Sequence, residues 1–260
     1  MSATARRVLY LVLAAWLALV PGGLAQAQTA TQRLYAEGAF LQAAAAGEAS
    51  SSASGYALAA RALLARCMLA GNDQDEMVWI ERARWNAESA LAREPQSVEA
   101  RLQLATALGM RAQRLSIPQA LREGLAGQGR RLIDEALARA PNDPWANALS
   151  GGWHLEVLRR GGPVGAMTMG ARLQDGIAAF DRALQLAPND PAILMQYAGG
   201  LLLLDARRHQ DLIEALLRRA EVAPARDAFE RFAVTQAGDV RLILDTQGPR
   251  AASRAVAALL

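Results

Sequence analysis

The sequence predicts an all-α protein, a solenoid of stacked helical repeats. Three observations carry that reading. The first is self-similarity: Ile133–Leu149 and Phe180–Gln196 share an Ala-Leu pair followed by Ala-Pro-Asn-Asp-Pro, and a third copy, Asn86–Leu102, keeps the Ala-Leu and the later proline. The second is period: Pro95, Pro141 and Pro188 are separated by 46 and 47 residues, and a looser fourth copy ends at Pro224 after 36. The third is that apolar residues recur at helical spacing, as in Ile177, Phe180, Ala183 and Leu184, with almost no β-branched alternation anywhere.

Each copy has a physical logic. Ala90, Ala136 and Ala183 are small enough to let a neighbouring helix approach closely. Pro141 and Pro188 stop the helix. Asp143-Pro144 and Asp190-Pro191 then supply an N-cap and a first-turn proline for the next one. The unit is therefore helix, tight turn, helix. Upstream, Ala60–Ala70 is a mostly apolar helical run holding Cys67. Downstream, a helix over Ala225–Ala237 with Phe229 and Phe232, and an amphipathic piece over Ala251–Leu260 with a terminus free to fray, are expected to cap the stack.

These residues resemble the tetratricopeptide repeat (TPR) family. Its second-helix pattern of small, aromatic, small and proline is matched in full by Gly176, Phe180, Ala183 and Pro188. Gly129, Ile133, Ala136 and Pro141 match with Ile for the aromatic, and Ala83, Ala87, Ala90 and Pro95 with Ala. Ala36, Phe40 and Ala43 form a further copy, with Glu48 where proline is expected. First-helix patterns recur at Leu194, Tyr197, Ala198, Leu201 and at Leu104, Ala105, Leu108. The resemblance implies a right-handed solenoid of about four TPR-like hairpins over residues 28–224, closed by capping helices over 225–260.

The period departs from that family through two insertions, Gly109–Gln128 and Glu156–Asp175. Extra-length repeats of this layout resemble the periplasmic T-component proteins of TRAP transporters and their eukaryotic relatives. That resemblance implies an extracytoplasmic repeat protein with an apolar ligand channel and a periplasmic substrate-binding protein as partner. Bacterial T-components are commonly lipoproteins, and no lipobox Cys occurs here, so lipid attachment is not expected.

Composition narrows the classes. With 260 residues, 52% hydrophobic and 20% charged, the chain is too apolar for disorder. Residues 1–27 read as a secretory leader: Arg6-Arg7, an apolar run Val8–Val20, a break at Pro21-Gly22-Gly23, and Ala25-Gln26-Ala27 for cleavage before Gln28. An uncleaved anchor is the alternative, but the run is well short of the roughly 20 residues that span a bilayer. No other stretch could span, so the mature form is expected to be periplasmic with no membrane span. All 28 basic residues are Arg; without Arg6 and Arg7 they stand at 26 against 25 acids, in no run longer than two, which argues against nucleic acid as a partner. Cys67 is alone, so no intramolecular disulfide forms.

In TPR geometry, positions 5, 9 and 12 of each first helix face the concave side. Here they are Leu102, Thr106 and Gly109; Ala148, Gly152 and Leu155; Met195, Gly199 and Leu202, with Trp153 adjoining. None is charged, so a clamp for a peptide carboxylate is not expected. An apolar small ligand, a partner's amphipathic helix, and self-packing by the insertions all remain open.

No catalytic, metal or cofactor constellation emerges. His154 and His209 lie in different repeats; the first reads as a seam residue or a ligand contact, the second as a solvated turn. Gly161–Gly165 lacks the Lys and preceding strand of a phosphate loop and reads as a turn. Met167 and Met169 suit either a soft apolar site or the core. Trp79, Trp85, Trp145 and Trp153 are dispersed, and Asp73, Asp75 and Glu76 read as a capped helix start. The function expected is a non-enzymatic periplasmic adaptor or scaffold with a protein partner; the alternative is a small-molecule or lipid carrier without one.

Overall fold

The computed structural model describes residues 30–70 and 75–258, and among them every regular element is helical. The expected leader, Asp73 and Leu259-Leu260 lie outside the described residues. The helices are α1 over 30–37, α2 (Phe40–Ala49), α3 (Ala53–Ala70), α4 (Glu76–Arg93), α5 (Val98–Arg114) and the short α6 (Ile117–Arg122). They continue with α7 (Leu125–Arg139), α8 (Pro144–Met169), α9 (Leu173–Leu186), α10 (Pro191–Asp205) and α11 (Gln210–Glu221). Two more follow, α12 (Ala228–Gln247) and α13 (Pro249–Ala257).

From α2 onward, leaving the short α6 aside, each helix packs on its successor. Alternate long helices also touch: α3 on α5, α5 on α8, α8 on α10 and α10 on α12. The expected motif residues lie in these seams. Ala83, Ala87, Ala90, Ala136, Phe180 and Ala183 are fully enclosed, and Ile133 nearly so. The Phe180 ring stacks on Tyr197 at 4.5 Å and 6°, joining α9 to α10 in the largest core cluster. A Cβ at Gly151 would stand 2.5 Å from the Phe180 ring, so only glycine fits on α8 where the ring presses against it.

The turns after α4, α7 and α9 share one conformation. Glu94, Ala140 and Ala187 end their helices at φ/ψ of −133/83, −135/75 and −136/74. A residue ahead of proline is excluded from the helical region, and the prolines here are Pro95, Pro141 and Pro188. In each case the terminal N–H donates to the carbonyl of the buried alanine, Ala90, Ala136 or Ala183, at 2.8 Å. Ser97, Asp143 and Asp190 then cap the next helix by accepting from Ala100, from Ala146, and from both Ala192 and Ile193.

Each proline carbonyl in turn accepts a side-chain donor: the Arg101 guanidinium at Pro95, Asn147 Nδ2 at Pro141, and Arg219 Nη2 at Pro188. The three prolines themselves are exposed.

Several expectations are corrected. The copy at Ala36, Phe40 and Ala43 is not one helix: Gly38, at φ +90, ends α1, with its N–H donating to Tyr35 and that of Ala39 to Leu34. Ala225 and Arg226 precede α12 rather than belonging to it. The insertions are largely helical. The first extends α5 and adds α6; the second lengthens α8 to Met169, with a break at Gly162 (φ 58, ψ −162) and Pro163 where a turn was expected. Glu76 stands in the first turn of α4 as expected, and is in addition a buried partner of Arg114. Met167 is exposed, not core.

Candidate interaction surface

The expected groove residues divide into two groups. Ala148, Leu155 and Leu202 belong to the largest core cluster, with Met195 packed against it, and Leu102 is buried with Ala136 and Ala146. Gly199 is buried beneath α13, where a Cβ would lie 3.5 Å from Val256. Thr106 and Gly152 are half-buried and Gly109 is exposed; Thr106 Oγ1 donates to the Leu102 carbonyl. Trp153 is held across a seam, its Nε1 donating to the Ala126 carbonyl at 2.9 Å and the Arg130 guanidinium 5.1 Å from its ring. These side chains therefore do not line one continuous opening.

His154 is buried beside Trp153. The Arg172 N–H stands 3.2 Å from Nδ1 and Arg130 Nη1 3.2 Å from Nε2. A neutral imidazole accepts at one nitrogen, so only one of these contacts is a full hydrogen bond. Burial first, and the Arg130 charge second, push the His154 pKa below the usual histidine range. It is a seam residue, held between α7 and the start of α9. His209 is half-buried ahead of α11, and its Nε2 is enclosed without a partner, unlike the solvated turn expected.

A cavity lies elsewhere, between α3 and the start of α12. A space of about 320 Å³ is lined by Arg61, Trp145, Arg226, Asp227, Phe229 and Glu230. Arg61, on α3, stands 3.8 Å from Asp227 and 4.7 Å from the centre of the Tyr35 ring. Burial opposes the Arg61 charge, but Tyr35, Glu99 and Asp227 outweigh it and hold its pKa above the usual arginine value. Burial and the Asp227 charge push the Tyr35 phenol up to about 12 against the pull of Arg61.

On the other wall, the Arg226 guanidinium bridges two buried carboxylates, Asp190 at 3.0 Å and Glu230. Burial raises the Asp190 pKa and Glu230 adds to it, while the Ile193 N–H and Arg226 pull it down without cancelling the rise. Asp227 caps α12 by accepting the Glu230 N–H at 2.8 Å. Phe229 and Ala228 pack on the N-terminal core cluster, and Arg231 donates to the Ala36 carbonyl. Residues 226–231 thus clasp the first helices to the last.

Sequence reasoning missed this junction. The Asp227-x-x-Glu230 spacing, characteristic of a capped helix start, could have placed the start of α12. No local signal pairs Arg61 with it, because that contact is long-range.

The exposed apolar side chains are the other feature. Ile117 and Leu121 project from α6, Val164 and Met167 from the end of α8, and Val78 and Trp85 from α4. The Trp85 ring meets Tyr56 edge-on at 5.6 Å, and Arg93 lies 4.4 Å over the same Tyr56 ring. Among the described residues, no helix is long and apolar enough to cross a membrane, and no cluster of His, Cys, Asp and Glu could hold a metal ion. No protein-family model matches this chain, and no curated protein matches it at a significant level.

Proposed function

We propose that the chain is an exported, TPR-type repeat scaffold whose function is to bind a protein partner in the periplasm. In this reading α3 to α11 form four hairpins of a right-handed solenoid, and α12 and α13 close it. The single observation that supports it best is the recurrence of one turn geometry at Glu94, Ala140 and Ala187, each behind a buried alanine and ahead of a capped helix. Equivalent turns make equivalent units, and units that stack present extended surfaces suited to a partner. Trp85 and Arg93 are exposed where they pack on the buried Tyr56 ring, and both are residue types that dominate binding energy at interfaces. A TRAP-like role, with a substrate-binding protein as partner, is the specific form proposed.

The cavity beside Trp145 and Phe229 favours a second reading, a carrier of a small ligand. Native mass spectrometry of protein prepared gently from a periplasmic extract separates the two. A second polypeptide at fixed stoichiometry, lost in Trp85→Ala, supports the scaffold. A small adduct lost on denaturation and absent from Trp145→Ala supports the carrier. Protein found only in the cytoplasm overturns both.

A further inference from the structure

The two insertions leave and rejoin the helical body side by side. Arg160, just ahead of the Gly161-Gly162 break, donates through its guanidinium to the Ala112 and Leu115 carbonyls at the end of α5. At the return, a Cβ on Gly127 would lie 3.9 Å from Met169 Cε. Both excursions are built rather than loose. A reciprocal Ser116–Gln119 capping box starts α6, although α6 buries no side chain. In the second, Gly170 (φ 72) ends the helix, the Ala171 N–H donates to the Ala166 carbonyl at 2.8 Å, and Ala166 is buried.

What these ordered tips present outward is apolar. Ile117, Leu121, Val164 and Met167 are 46%, 64%, 71% and 80% exposed. Around them, Arg111 and Arg114 are bonded to Glu81 and Glu76, Arg130 to Asp134, Arg159 to Glu156 and Arg172 to Asp175. Arg122, Arg131 and Arg160 have no carboxylate partner among the described residues. Arg122 and Arg131 are exposed, so the tips carry free positive charge beside the apolar side chains. Residues 111–131 hold five arginines and one acid, whereas the chain beyond residue 27 has 26 arginines and 25 acids. Three of those five are neutralised by Glu76, Glu81, Glu123 and Asp134, which leaves Arg122 and Arg131 as the free cations of this stretch.

We propose that the paired insertion tips dock on an anionic lipid surface, with Ile117, Leu121, Val164 and Met167 entering the headgroup layer and Arg122 and Arg131 meeting lipid phosphates. The projecting side chains are aliphatic or thioether, and the charge beside them selects lipid over an apolar protein groove. The free cations beside them match a negatively charged bilayer, where apolar insertion and electrostatic attraction add. This inference is independent of the scaffold reading, which uses other residues.

The test is co-sedimentation of the chain from Gln28 onward, which holds every described helix, with vesicles of phosphatidylethanolamine and phosphatidylglycerol, and with phosphatidylcholine alone. The protein is expected to sediment with the anionic vesicles, less as salt rises, and only weakly with phosphatidylcholine. The double substitution Val164→Asp with Met167→Asp should cut binding about tenfold or more, while Arg122→Glu with Arg131→Glu should cut it several-fold and flatten the salt dependence. All four side chains are exposed, so circular dichroism and melting should match the unsubstituted protein. Folded protein that stays in solution with anionic vesicles at low salt overturns the proposal. So does equal binding by the aspartate variant, or a photo-crosslinker at Met167 that captures a protein while vesicle binding is absent.

Discussion

The turns after α4, α7 and α9 and the segment after α11 all lead into a capped helix packed on the one before, but by different routes. In the first three, a buried alanine lies five residues before proline, and the chain reverses into a capped helix packed on the last one. In the fourth, the buried alanine is Ala220, four residues before Pro224, and the position equivalent to Ala183 is the exposed Arg219. The helix also stops one residue earlier relative to its proline: its last residue is Glu221 and Val222, two positions before Pro224, follows at φ/ψ −104/2. Residues 222–227 then run on as an irregular segment to the clasp at Arg61 and Asp190. A stacked turn depends on the spacing from small residue to proline, and losing it frees the chain to make a different contact.

Substitutions that exchange these behaviours should break the comparison most visibly. Ala183→Arg places at an enclosed site the residue type that the fourth copy carries in solvent. It should lower stability by about 4 kcal/mol or more through overpacking and an unpaired buried charge, measured by urea denaturation. A loss below about 1 kcal/mol would mean that Ala183 does not set the close approach. Arg226→Ala should cost about 2–3 kcal/mol, discounted for the exposure of the arginine, because Asp190 and Glu230 lose the cation between them. Its distinguishing sign is faster hydrogen exchange around Ala36 as well as around Arg226, and protection unchanged at Ala36 would refute the clasp.

Smaller effects sharpen the picture. Arg101→Ala, Asn147→Ala and Arg219→Ala each remove the donor on a turn's proline carbonyl and should cost about 1 kcal/mol apiece. Three similar values would show that the braces are equivalent despite their different sources. Asp190→Asn keeps a capping side chain and removes a charge. Because the folded Asp190 binds its proton more tightly than the unfolded one, its contribution favours folding below the ordinary aspartate pKa. That contribution declines as pH rises to the elevated value. The asparagine variant should therefore lose less stability than the parent between those pH values in a thermal-melt series.

The sequence made the repeating part legible for physical reasons that are local. A small residue, a proline and a capping acid each act within one turn of helix, so Ala136, Pro141 and Asp143 could be read together, and each does what was expected. Helix ends near glycine were less legible. The Ala36, Phe40 and Ala43 copy ignored Gly38, whose positive φ splits it. Of the pair Gly151-Gly152, nothing local shows that Gly151 is the one under Phe180.

The interaction residues were harder still. Leu155 on α8 and Leu202 on α10 satisfy the groove positions of their helices, but whether another element covers them depends on neighbours distant in sequence. Val256 over Gly199, and Gly200 against Leu155, are such neighbours. Met167 shows the converse: an apolar residue reads as core unless the break a few residues earlier in the same helix, at Gly162-Pro163, is taken into account.

The clasp alters how such a stack can come apart. When repeats touch only adjacent repeats, each free end frays independently and unfolding proceeds inward from whichever end is weaker. Here the Arg231 side chain donates to the Ala36 carbonyl across 195 residues of sequence. The succession of packed helices closes into a ring in its pattern of contacts, so opening α1 withdraws a hydrogen bond from α12. Loosening of the two is then coupled, and contacts so distant in sequence are the kind that slow folding.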